Sequence, residues 1–142
     1  MKWRKKLVIT FLVVLVGIQF VPVSRSNPPV TGEVDAPKEV LAVLKRACYD
    51  CHSNETKWPW YGYVAPISLL MQYDIAEGRE HLNFSQWDKL SPTKRAKKIG
   101  EVWDEVGDGE MPLWYYLPTH PEAKLSDADK NLLKTWSQNS GS

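Results

Sequence analysis

The chain has 142 residues, with 18 Lys and Arg against 17 Asp and Glu, and it carries 7 Trp, 6 Tyr and 3 Phe. Five of the basic residues, Lys2, Arg4, Lys5, Lys6 and Arg25, precede the first acidic one, Glu33, so residues beyond 26 hold 13 basic against 17 acidic side chains, a net charge of −4. That length allows one small domain, and its mildly acidic body excludes a nucleic-acid binder, whose footprint should be basic.

Residues 1–26 read as a membrane anchor or export signal. Met1–Lys6 is basic, and Leu7–Val23 is apolar apart from Thr10, Gly17, Gln19 and Pro22. As one helix the run would span about 26 Å, close to the ~30 Å hydrocarbon core. The basic flank stays on the cytoplasmic side, so the remainder is translocated. Ser24-Arg25-Ser26 is a poor cleavage site, which favours an uncleaved N-terminal transmembrane helix over a cleaved signal. Residues 27–34, rich in Pro and Gly, read as a tether.

The domain proper is expected over 35–138. Asp35 can cap a helix with Pro37 in its first turn, and Val40, Leu41, Val43, Leu44 and Ala47 share one face. Residues 53–62 form an aromatic loop broken by Pro59. Residues 66–79 read as a helix with Ile67, Leu70, Met71 and Ile75 roughly on one side. Ser91-Pro92 opens another, with Ile99, Val102, Trp103 and Val106 repeating at helical spacing and Gly107 and Gly109 ending it. A long loop with three prolines covers 110–124, and Ser126 caps a last helix that turns Leu132, Leu133 and Trp136 inward. No segment alternates like a strand, so the fold class is all-α, a small helical domain with long loops.

The first of these helices runs into Cys48-Tyr49-Asp50-Cys51-His52, and no other cysteine exists. This is the C-x-x-C-H pattern of c-type haem attachment. Two thiols separated by two residues match the two vinyl groups on one porphyrin edge, and the following imidazole reaches the iron. Three other readings stand beside it. A thioredoxin-like redox pair would need a βαβ pattern, which is not visible. An ordinary disulfide or two inert thiols is the plainest alternative. A zinc site would need further ligands from His81 or His120.

The iron of a c-type haem takes His alone, His/His or His/Met. Met111 is the preferred second ligand, because it lies in an irregular stretch beside Pro112. Met71, at helical spacing with Leu70 and Ile75, fits core filling better. His81 and His120 are the remaining candidates.

Residues 35–138 resemble the small bacterial haem-binding domain family with a C-x-x-C-H motif. The resemblance is carried by Cys48–Asn54, Trp58-Pro59-Trp60-Tyr61, Gly78–Ser85 with Trp87, Glu110-Met111-Pro112, His120-Pro121, Ala123, Leu125, Ser126 and Trp136. It implies a divergent cytochrome c-like fold and haem ligation through Cys48, Cys51 and His52, and it supplies a cofactor without a substrate. Within Gly78–Trp87 no role follows from the residues; Arg79 and Asn83 are candidates for meeting a haem propionate or for holding the loop.

The leading expectation is one covalent haem c used for single-electron transfer in the periplasm, by a domain attached to a bacterial inner membrane and served by a redox partner protein. A five-coordinate haem sensor or peroxidase-like enzyme, with His81, Arg79 or Glu80 as distal groups, is the alternative. A thiol–disulfide protein is the third. No acid–base constellation points to catalysis.

Overall fold

A computed structural model describes residues 2–140. Met1, counted with the basic start of the leader, lies outside them. Six α-helices follow in order: α1 (Lys2–Gly17), α2 (Lys38–Ala47), α3 (Tyr49–His52), α4 (Ile67–His81), α5 (Pro92–Asp108) and α6 (Asp127–Ser140). Short 3-10 turns punctuate the loops, and the described residues contain no strand beyond an isolated bridge between Gly32 and Gln86. The all-α expectation holds.

The expected transmembrane helix does not. Among the described residues no helix is long and apolar enough to cross a membrane. The apolar run breaks at Gly17, passes through a 3-10 turn over Ile18–Phe20, and is extended by Val21 (φ −68°, ψ 122°). Pro22 explains the break, because a residue before proline is pushed out of the helical region. The 16 residues of α1 span about 24 Å at 1.5 Å per residue. None of its side chains is buried.

Residues 27–34, read as a tether, are strapped to the domain. Thr31 and Gly32 donate backbone N–H groups to the Ser85 carbonyl at 2.9 and 3.2 Å. Asn54 donates to the Pro29 carbonyl at 2.9 Å, and Val34 is buried in the core.

The core forms where α2, α5 and α6 meet. Val40, Val43 and Leu44 from α2 pack with Ile99, Val102 and Val106 from α5 and Leu133 and Trp136 from α6. Tyr49 stacks on Phe84 at 5.3 Å, and Phe84 leans on Trp87 at 6.0 Å. Helix α2 starts at Lys38 rather than near Asp35, because Pro37 is still extended at ψ 146°. Ser91 caps α5 as expected, accepting from the Lys94 N–H. Gly109 ends that helix at φ 81°, a left-handed conformation that glycine adopts without strain. Ser126 and Asp129 exchange bonds at the start of α6, with Ser126 N donating to the carboxylate at 2.9 Å and Asp129 N donating to the hydroxyl at 3.2 Å. One expected inward face fails. On α4 only Ile75 of the four apolar residues is buried, while Ile67 and Leu70 are each 46% exposed.

Candidate functional site

Helix α2 ends at Cys48, and the single turn α3 carries Cys51 and His52. Its first bonds run from Cys51 N and His52 N back to the Cys48 carbonyl, at 3.2 and 2.9 Å. The motif thus folds as one tight turn. Helix α4 presses against it at Gly78, where an added Cβ would stand 2.8 Å from the Cys51 carbonyl oxygen. Only glycine permits so close an approach.

That approach orients His52. Its Nδ1 lies 2.9 Å from the Gly78 carbonyl oxygen and 3.2 Å from that of Leu82. Carbonyls only accept, so Nδ1 carries the proton and Nε2 keeps its lone pair, the tautomer and orientation of a metal-ligating histidine. Burial pushes the imidazole below its ordinary pKa of 6.5, although the two carbonyl bonds pull the other way. The ring is therefore neutral and able to donate its free pair.

Beside this turn lies a cavity of about 750 Å³, within the roughly 300–1,000 Å³ of cofactor and ligand sites. Cys48, Cys51 and His52 line one part, Tyr73, Asp74, Gly78 and His81 of α4 another, and Lys98, Val102 and Val106 of α5 a third. Phe84 joins them, and the segment Met111–Tyr116 closes over the space. Two tyrosines hold that segment. The Tyr116 hydroxyl donates to the Asp50 carboxylate at 2.8 Å, inside the C-x-x-C motif itself. The Tyr115 hydroxyl donates to Asp74 of α4 at 3.2 Å.

All four expected site residues, Cys48, Cys51, His52 and Met111, thus line one cavity. The competing ligands fare differently. Met71 is turned toward Gly62 and Trp58, outside the cavity lining. His120 stacks on Tyr116 at 3.9 Å and meets the Tyr61 hydroxyl, which makes it a support for the closing segment. His81 lines the cavity but stays 75% exposed beside Glu77.

Both cysteines are free thiols. Burial, reinforced by their acidic or thiol neighbours, pushes each up to about 12. A reactive C-x-x-C redox pair is favoured by a lowered thiol pKa, and burial moves both thiols the other way. The zinc reading loses its ligands, since among the described residues no three His, Cys, Asp or Glu side chains are placed to hold a metal ion.

Arg79 and Asn83 turn out to hold the loop after the motif. Arg79 Nε donates to the Ser53 carbonyl at 2.7 Å, and its Nη atoms reach the Ser26 carbonyl, Asn27 and Thr56. Asn83 donates to Asn54 at 2.8 Å. Neither lines the cavity. The reading of the residues missed Gly78, Leu82, Tyr115 and Tyr116. A glycine inside a helical pattern was the available signal, because it so often marks close packing.

No curated protein and no solved structure matches the chain. A family model described as a haem-binding domain matches residues 13–139. With that match laid over a cavity that gathers two thiols, a neutral imidazole and a thioether, the chain belongs to the haem-binding domain family.

Proposed function

We propose that the protein holds one haem c covalently, through thioether bonds at Cys48 and Cys51, with His52 and Met111 as the residues that would hold its iron, and that it carries single electrons. The observation that bears most weight is the pair of carbonyl bonds on His52 Nδ1. They leave Nε2 as a lone-pair donor in the same cavity as both thiols and the Met111 thioether.

A haem bound there supplies an iron that alternates between the ferric and ferrous states. The protein's part is to hold and tune it. Gly78 and Leu82 fix the proximal ring through their carbonyls and raise its basicity. Met111, a soft ligand, favours the reduced iron and raises the potential. Val102, Val106 and Phe84 give the cavity an apolar wall that limits water. Lys98, the one lysine in the lining, is bonded to Glu101 at 2.6 Å. No side chain needs to exchange a proton for this function. The export reading of residues 1–26 places the domain in the periplasm, at the outer face of a bacterial inner membrane, where haem c is attached.

The test is intact mass under denaturing conditions, together with a pyridine haemochrome spectrum, on protein produced with a haem-attachment system. The protein should keep the mass of one haem, and Cys48→Ser with Cys51→Ser should release it. A colourless product with both thiols free would overturn the proposal.

A further inference from the structure

Away from the cavity, the molecule exposes a patch of large apolar and aromatic side chains. Trp60 is 79% exposed and Tyr63 60%, with Val64, Ile67 and Leu70 beside them in sequence at 46–47%. The 3-10 turn Trp60–Tyr63 packs against α4, so these residues form one surface. A patch of this kind on a small domain marks a contact with something apolar. Its Trp and Tyr content is that of the boundary between lipid headgroups and acyl chains, where an amphipathic ring keeps one end dry and the other wet.

The occupant is indicated by what adjoins the patch. Helix α1 is apolar from Leu7 to Val16 apart from Thr10, and none of its residues is buried, a pattern that calls for an apolar surrounding. It ends against the patch. The Gln19 amide bonds the Ala65 backbone in both directions, each at 3.0 Å. Ser24 N donates to the Gln72 side chain at 3.1 Å, and Arg25 donates to the Gly62 carbonyl and lies 4.5 Å over the Tyr63 ring. Phe20, 82% exposed, lies in the chain between Gln19 and Ser24. Because residues 27–34 are themselves strapped down, no free spacer separates the domain from the end of α1.

We propose that Trp60, Tyr63, Val64, Ile67 and Leu70 rest on a lipid bilayer at headgroup depth, with the Leu7–Val16 stretch of α1 embedded in the apolar layer beside them. None of these residues ligates or lines the haem cavity, so the haem proposal and this one fail separately.

Fluorine NMR of the full chain, labelled with fluorotryptophan and placed in nanodiscs of phosphatidylethanolamine and phosphatidylglycerol, tests it. Trp60→Phe assigns the resonance. Trp103 of α5, covered by Lys134 of α6, is the internal reference. Trp60 should lose its signal when the lipids carry a nitroxide near the headgroup, and should keep it against a soluble gadolinium chelate. Ile67→Ser with Leu70→Ser should restore accessibility to gadolinium while circular dichroism stays unchanged. Broadening of Trp60 by gadolinium alone in the unaltered chain would overturn the proposal. So would shielding from both agents, which would mean that a protein, or a second copy of this chain, covers the patch.

Discussion

His52 and Gly78 meet across 2.9 Å, imidazole Nδ1 to main-chain oxygen, and the same glycine sits where a Cβ would touch the Cys51 carbonyl. One residue therefore both admits the motif turn and orients its histidine. Gly78→Ala should push α3 away from α4. Overpacking of this kind costs about 1–3 kcal/mol. Chemical denaturation should register that loss, and the haem-to-protein ratio after expression should fall. Unchanged loading and stability would show that the close approach is dispensable.

Met111→Ala removes the only thioether in the cavity lining. The oxidised protein should lose its sulfur-to-iron charge-transfer band, the potential should fall, and the reduced protein should bind carbon monoxide. Met71→Leu should leave all three unaltered, because that side chain packs against Gly62. A band that survives Met111→Ala would assign the sulfur ligand to Met71 instead.

Arg79→Met strips a partner from the carbonyl of Ser53, a fully buried residue. A buried acceptor left unpaired costs about 1–3 kcal/mol, readable as a lower urea midpoint. The haem spectrum and potential should not change, since Arg79 lies outside the cavity lining. A shifted potential would instead place the guanidinium near a propionate.

Asp129 supplies the pH dependence. Bonds from the Ser126 backbone and hydroxyl, and the Arg46 guanidinium at 2.8 Å, hold its carboxylate below the ordinary value of 3.8. A lowered folded pKa means that the stabilisation is complete above the unfolded value and disappears as pH falls through the folded one. The group is near the surface, so the effect is under about 1 kcal/mol. Asp129→Asn should lower the melting temperature slightly at neutral pH. The difference from the unaltered chain should close below pH 3.8. A gap that persists in acid would assign the effect to packing.

What was legible in the chain depended on how far each relationship reaches. Cys48, Cys51 and His52 could be read because haem attachment compresses its requirements into five consecutive residues. Ser91 and Ser126 could be read because a cap acts within one turn. Ile67 and Leu70 misled, since helical periodicity looks the same whether a face meets a core or is left open. Gly78 stayed silent because its partner, Cys51, lies on a different helix. The strap over 27–34 was hidden for a similar reason: Pro and Gly suggest looseness, while the bonds to Ser85 and Asn54 that tie it down come from distant loops. The apolar run of the leader suggested a longer helix than forms, because Gly17 and Pro22 were counted as interruptions of polarity and not of backbone geometry.

The pinning of Met111–Tyr116 by Tyr115 and Tyr116 carries an implication for biogenesis. Asp50, between the two thiols, is engaged by Tyr116 of that segment, and both half-buried cysteines line the cavity it walls. Under the attachment chemistry proposed above, a maturation enzyme reaches the two sulfurs most freely before Tyr116 bonds Asp50. Late delivery would have to part that pair first, so the order of folding and cofactor supply would bear on the yield of mature protein.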